Sequence, residues 1–323
     1  MTVPGTPRVS VVVPAYNYGR FVGDALRSIL SQSFEALEVI VIDDGSTDDT
    51  PQVLAQFTDP RVAVHRTERL GVSRVRTVGI ELARAPLVAW LDADDLWRPG
   101  YLERQVALLD AEPGIAFSFT DFVRTEHGVV LPETQFDHSP ELRDLPARPS
   151  RAGGGRVIEG DAFVALAPIG ELPCWIQASV HRRSALVGMR PKPGNMDAED
   201  LYFQLQVYDK GGAGFIDEPL VEVRRHGANS YTSSDQIREA VLRAVELAAR
   251  DLPFAPAHLA VVRRRVGFEC CRRGHRYFWS HDLGRAARYY ARALGWPGSR
   301  LNALAHLIAL PAVPLLPRRE PHY

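Results

Sequence analysis

The hydrophobic run that ends at Trp90 and Leu91 is followed at once by Asp92, Ala93, Asp94 and Asp95, three carboxylates in four positions. Carboxylates crowded in this way are costly to bury without counter-charge, so at the end of a strand they predict a cation and an anionic ligand. The arrangement suits a metal-assisted site for a nucleotide-bound sugar. Oxygen ligands such as Asp94 fit Mn2+ or Mg2+, which retain water and borrow substrate oxygens, so one or two protein carboxylates suffice.

Two further segments carry polar groups of the same kind. Asp43, Asp44, Gly45, Ser46, Thr47 and Asp48 form a turn into a helix with Ser46 or Thr47 as its N-cap, and the two leading carboxylates could hold a base or ribose or simply cap the turn. Pro14, Ala15, Tyr16 and Asn17 form a similar strand-to-helix turn. Further on, Glu199 and Asp200 precede an apolar segment of helical period, 201–210, closed by Gly211 and Gly212. Both carboxylates therefore sit at a helix N-terminus, where dipole complementarity alone is worth about 0.3–1 kcal/mol.

The elements that must position these groups alternate. Residues 9–13, 37–42, 61–65 and 86–91 read as strands, with helices at 21–33, 48–57 and 71–84 between them. This predicts an α/β fold, a mostly parallel sheet covered by helices on both faces. Ligands in such sheets collect at the carboxyl ends of the strands, where Pro14, Asp43 and Asp92 all fall. Residues 214–218 and 220–224 read as two later strands, followed by Arg225 and His226.

Residues 9–49, VSVVVPAYNYGRFVGDALRSILSQSFEALEVIVIDDGSTDD, resemble the opening of a family 2 glycosyltransferase of the GT-A (Rossmann-like) fold, and WLDADD resembles its DxD motif. The likeness runs from about residue 9 to 231 and leaves 129–155 unmatched; that stretch is rich in Pro, Gly and charge and reads as a mobile or acceptor-shaping loop. The resemblance implies an inverting, metal-dependent transferase of bacterial type that moves one sugar from a nucleoside diphosphate, UDP foremost, to an acceptor hydroxyl. It implies that Pro14, Ala15 and Tyr16 approach the nucleotide, that Asp43 with Asp44 beside it binds the base, that Arg76 in GVSRVRTVGI contacts the nucleotide, and that Asp92 holds ribose or metal. Asp94 becomes the metal ligand, and Glu199 and Asp200 become the ED motif with Asp200 as general base. His226 falls at the family's late His, which reaches metal or diphosphate; Arg224 and Arg225 beside it would suit the diphosphate. A lone His there could equally be a surface residue. Trp175 either stacks on an acceptor sugar or fills the core. Leu70 and Thr77 replace the family's frequent Asn residues, and Gln206 replaces a common Arg, so contacts around them must differ.

Composition excludes several classes. The 323 residues, 46% hydrophobic, can bury one large core or two smaller ones. No apolar run is long enough for a spanning helix, and residues 1–9 have no apolar signal-peptide core, so the expected location is the cytoplasm, with the inner face of the membrane as an alternative. QxxRW and membrane spans are both missing, which disfavours a processive polysaccharide synthase. A sugar nucleotidyltransferase would need a glycine-rich phosphate loop that 16–20 lacks, and an inactive nucleotide-sugar-binding protein would not need Asp92, Asp94 and Asp200 together.

The net charge of -1 hides an asymmetry: residues 236–323 hold 15 Arg or Lys against six Asp or Glu, and residues 1–235 hold 23 against 33. We therefore read 1–235 as the nucleotide-sugar-binding catalytic domain and 236–323 as a basic C-terminal helical region, with helices at 237–250, 258–273 and 282–294. Arg263, Arg264, Arg265, Arg272, Arg273, Arg285, Arg288 and Arg292, with the apolar segment 301–316, suit either anionic lipid headgroups or a helical cap or homodimer surface. No nucleic-acid module is present.

Overall fold

The computed structural model describes residues 6–168, 175–192, 198–226 and 234–311. The chain divides into two compact units, Met1–Thr232 and Ser233–Tyr323.

The first unit opens with β1 (Val9–Ala15), α1 (Gly19–Leu30), β2 (Leu37–Asp43), α2 (Thr50–Leu54), β3 (Val62–Arg66), α3 (Val72–Leu82) and β4 (Leu87–Trp90). Strands β3, β2, β1 and β4 lie side by side and parallel, as the alternation requires. Alternate residues of β1 serve the two faces. Val9, Val11 and Val13 pack in one cluster with Val22, Ala25, Leu26 and Ile29 of α1. Val12 faces the other way, against Gly79 of α3, where a Cβ would collide with it. Helices thus cover both faces, and Gly79 permits α3 to approach closely.

Beyond β4 come β5 (Leu96–Trp97), α4 (Tyr101–Ala111), β6 (Ile115–Glu126), β7 (Val129–Thr134), α5 (Gln135–His138), β8 (Ala147–Pro149), β9 (Arg156–Ile158), α6 (Ala162–Leu166), β10 (Ser179–Arg182), α7 (Arg183–Leu186), α8 (Glu199–Tyr208) and β11 (Gly212–Arg225). The described strands form one sheet ordered β3-β2-β1-β4-β10-β6-β11-β9-β8, with β5 on β11 and β7 on β6. β10 is antiparallel to both β4 and β6, so the sheet is mixed at its centre. Its His181 accepts a hydrogen bond from Trp90 Nε1 at 3.1 Å, and burial pushes that imidazole down to about 4, so it sits neutral in the core.

Several expectations change. Residues 129–155 are not an irregular loop: they contain β7, α5, a 3-10 turn and β8. Thr134 and Asp137 close a capping box on α5, while Phe136 and Leu142 are fully buried and hold the segment on the core. The two strands read at 214–218 and 220–224 are one, β11, with irregular register around Pro219, which has no N–H to donate. Neither Ser46 nor Thr47 caps α2, which starts at Thr50 after Asp49.

The second unit holds α9 (Ser234–Asp251), α10 (Pro256–Trp279), α11 (Leu283–Leu294) and α12 (Arg300–Ala309). Among the described residues no helix is long and apolar enough to cross a membrane. Cys270 and Cys271 are buried free thiols on α10; Cys174 and the residues after 311 lie outside the described set.

Candidate active site

The turns after β1 and β2 are stitched into each other. Asn17 takes a left-handed φ of 56°, which lets its N–H reach Ser46 Oγ at 2.9 Å while its side-chain oxygen accepts from Thr47 N at 2.8 Å. Thr50 Oγ1 and Asp48 Oδ2 accept from the N–H groups of Tyr18 and Gly19, so the second turn caps the first helix. Pro14 and Ala15 are buried in β1, and half-buried Tyr16 carries the Arg69 guanidinium over its ring. Asp43 accepts from Ser46 N at 2.9 Å and pairs with Arg66 at 2.9 Å. Asp44 takes the N–H groups of Leu70 and Gly71 and the Thr67 hydroxyl, all within 2.8 Å. Its carboxylate thus anchors the chain entering α3, a structural duty the acidic pattern did not predict.

At the end of β4 the three carboxylates separate by partner. Asp92 pairs with Arg76 at 3.0 Å. Asp94 Oδ2 lies 3.1 Å from His226 Nε2. Asp95 accepts from the backbone N–H of Arg224 at 3.0 Å, and the Arg224 guanidinium donates to the Asp94 carbonyl and pairs with Asp24 at 3.1 Å. β11, which lies far from β4 in sequence, therefore delivers Arg224 and His226 to the carboxylates. Phe21 stacks on the His226 ring at 4.3 Å, Tyr18 meets it edge-on at 6.2 Å, and Arg224 covers Phe21. Aromatic packing fixes the imidazole.

The crowding shows in the proton affinities. Burial, then Asp94 and Asp92, raises Asp95 well above the carboxylate range; burial and Asp94 also raise Asp92, against the pull of Arg76. Burial and the carboxylates Asp94, Asp92 and Asp95 push the Tyr18 phenol up. Burial and mutual repulsion thus both favour the protonated forms of Asp92 and Asp95.

Glu199 and Asp200 open α8 behind Ala198, which is held at a left-handed φ of 60°. Arg76 of α3 joins this pair to the β4 end: one Nη donates to Asp92 at 3.0 Å and the other to Glu199 Oε1 at 2.9 Å. Asp200 accepts from Leu201 N at 2.8 Å, and burial followed by the Glu199 charge pushes it up to about 7. That answers the dipole, which alone would weaken the carboxylate as a base.

The Arg76 side chain, expected at the nucleotide, is 4% exposed, and its terminal nitrogens donate to Asp92 and Glu199. Trp175 is half-buried: it packs on Phe122 at 4.7 Å against the main hydrophobic cluster, with Arg124 over it. Tyr18 and Phe21 join the site unannounced. Only their position beside Tyr16 could have flagged them.

Among the described residues no group of three or more His, Cys, Asp or Glu is arranged to hold a metal ion. Asp94 and His226 nonetheless offer an oxygen and a nitrogen donor, and such a pair beside further carboxylates suits a divalent cation whose shell is completed by ligand oxygens and water.

The profile of glycosyl transferase family 2 matches residues 10–154. An uncharacterized glycosyltransferase of Haemophilus influenzae is 30% identical over 237 residues, which is 71% of this chain and 68% of that protein. The succinoglycan biosynthesis protein ExoO of Rhizobium meliloti is 41% identical over 106 residues, 32% of this chain and 30% of its own. Against three further relatives from Bacillus subtilis and Nostoc, the match spans 54%, 30% and 32% of their length, about half or less. Among solved structures, residues 1–349 of S. aureus TarS in complex with UDP-GlcNAc superpose with a TM-score of 0.62 at 18% identity, over 95% of this chain and 86% of that one. Mannosyltransferase PcManGT from Pyrobaculum calidifontis, in complex with GDP-Man and Mn2+, gives 0.59 at 21% identity, over 96% and 81%. The mixed sheet with helices on both faces is a GT-A fold, and this chain belongs to glycosyl transferase family 2.

Proposed function

We propose that the protein transfers a single sugar from a nucleoside diphosphate sugar, UDP being the nucleotide, to an acceptor hydroxyl with inversion. One observation carries the reading. Arg76 grips Asp92 and Glu199 at once, so two acidic motifs more than 100 positions apart share one edge of the sheet.

The donor would lie along the strand ends, with its nucleotide against Pro14, Ala15, Tyr16 and Asp43, and its diphosphate toward Asp94 and His226. Those two residues would hold Mn2+ or Mg2+, which when bound neutralises the charge that develops on the departing diphosphate. Asp200 takes the acceptor's hydroxyl proton as that oxygen bonds to the anomeric carbon, and the bond from that carbon to the diphosphate oxygen breaks on the opposite face. A carboxylate near 7 is matched to this task at neutral pH, half-ionised yet basic enough to accept the proton. Arg76 fixes Glu199, and with it the first turn of α8, against the β4 end. Half-buried Tyr18 and the Phe21-backed imidazole limit water around the leaving group.

The names of some relatives place them in succinoglycan and, provisionally, teichuronic acid biosynthesis. They support a growing surface polysaccharide or its lipid-linked precursor as acceptor, with the reaction in the cytoplasm. Calorimetric titration of UDP, GDP and dTDP, with and without Mn2+, into the wild type and Asp94→Ala tests the donor site. Metal-dependent binding of UDP, lost in the variant, is expected. Failure of every nucleotide to bind under either condition overturns the reading.

A further inference from the structure

Helix α12 has apolar residues on two sides. Ala303 is buried, and His306 lies against His275 of α10, so one side packs inward. Leu301, Leu304, Ala305 and Ile308 follow the i, i+3, i+4, i+7 spacing of a single helical face, and all four are exposed, Leu301 at 86%, Leu304 at 48% and Ile308 at 72%. A helix apolar on both sides is expected to be buried on both, and among the described residues the outer stripe has no partner. On α10, Phe268 is 58% exposed and shares a helical stripe with Arg264, Cys271 and His275. Cys271 reaches the Ser299 carbonyl just before α12, and the Arg264 stem lies beside Gly298, so Phe268 and Arg264 border the end where α12 begins.

The border is cationic. Two groups stand out among the arginines of α10, α11 and α12. Arg272, Arg273, Arg285 and Arg292 are paired with Glu269, Glu239, Asp282 and Glu246, and Arg265 is buried. Arg263, Arg264, Arg288 and Arg300 are exposed, and among the described residues none has an acidic partner. From α10 through α12 the acidic residues are Glu269 and Asp282, both already paired.

We propose that the outer face of α12, with Phe268, inserts into the interface of an anionic lipid bilayer while Arg264 and Arg300 bind its headgroups. A flat stripe of aliphatic residues bordered by arginines has the chemistry of an interfacial helix: the stripe buries in the headgroup boundary and the arginines reach the phosphates. A second copy of this chain is disfavoured as occupant, because apposing two such faces brings like-charged borders together with no acidic residue between them. The inference stands whether or not the transfer reaction does.

The test is flotation of the full chain with vesicles of phosphatidylcholine alone and of phosphatidylcholine mixed with phosphatidylglycerol, at low and high salt. The wild type is expected to float with the anionic vesicles at low salt and to stay behind with the neutral ones. Arg264→Gln with Arg300→Gln should weaken partition roughly tenfold to thirtyfold, at about 1 kcal/mol per basic residue. Leu304→Gln with Ile308→Gln should abolish flotation with an unchanged melting curve, since both side chains are exposed. The salt and lipid dependence of the wild type needs no variant to fold. No flotation, equal flotation with both vesicle types, or concentration-dependent self-association that Ile308→Gln abolishes without any vesicle binding would each overturn the proposal.

Discussion

The two units handle charge in opposite ways. In the helical unit the half-buried Glu239 is surrounded by donors: it receives Arg273 at 3.2 Å, Arg243 at 3.3 Å and the Tyr289 hydroxyl at 2.6 Å, and its carboxyl stays below the usual range. At the β4 end, Asp92, Asp94 and Asp95 are set beside one another and beside Tyr18, and Asp92 and Asp95 are pushed up. The first places carboxylates beside arginines, the second places carboxylates beside one another, and perturbed carboxyl groups of the second kind cluster at functional sites.

The largest expected effect tests that contrast at its reactive end. Asp200→Asn should lower kcat about 10²–10⁴-fold while leaving metal-dependent nucleotide binding intact. The same substitution should raise Tm at neutral pH. Asp200 has a folded pKa of about 7 against an ordinary 3.8, so the folded state binds the proton more tightly. Its favourable contribution is full below pH 3.8 and is lost as pH rises through 7, where the amide no longer carries that cost. An equal Tm and a retained rate would remove Asp200 from the base role. In the wild type, kcat/KM should fall as pH drops below about 7.

Arg76→Met and Glu239→Gln set the two networks against each other. Removing Arg76 leaves Asp92 and Glu199 without their shared cation, at a cost of about 3–5 kcal/mol in denaturant unfolding, because a buried charge loses its partner. Arg76 also holds Asp200 down, so the acid limb of the rate profile should move to higher pH. Glu239→Gln keeps a hydrogen-bonding group among several partners and should cost less, about 1.5–3 kcal/mol, with no change in the rate profile. If both variants move the profile alike, Arg76 has no special place beside Asp200.

Much of the first unit was legible because local patterns carry it. Strands β1, β2 and β4 are short apolar runs ended by polar turns, and the DxD and ED carboxylates lie at strand and helix ends that periodicity alone locates. β10 escaped because its four residues include Ser179, Arg182 and a neutral buried His181, a polar strand placed at the sheet's centre by tertiary pairing. The tie of Arg76 to Glu199 spans 123 positions, beyond any local window. The anchoring by Asp44 was hidden for a related reason: an acidic turn looks the same whether its carboxylate faces solvent or takes three donors from the next loop. The order within 129–155 depends on Arg143 clasping Asp137 and Asp217, again a tertiary event.

The smallest effect concerns a pair of bases in the helical unit. His275 and His306 bring their Nε2 atoms within 2.6 Å, next to the Tyr290 ring. Burial, then the His306 charge, lowers His275 from its ordinary 6.5. For a base depressed on folding, stability is full above the unfolded pKa. As pH falls below 6.5 the unfolded chain takes up the proton first, so the packing of α12 on α10 should loosen. Amide exchange in α12 should therefore accelerate between pH 7 and pH 5, ahead of any change in the strands around β4. His306→Gln removes the like charge but not the burial, so it should reduce that acceleration without abolishing it. Full loss of the pH dependence would assign the effect to the pair alone, and no loss would assign it to the desolvation of His275.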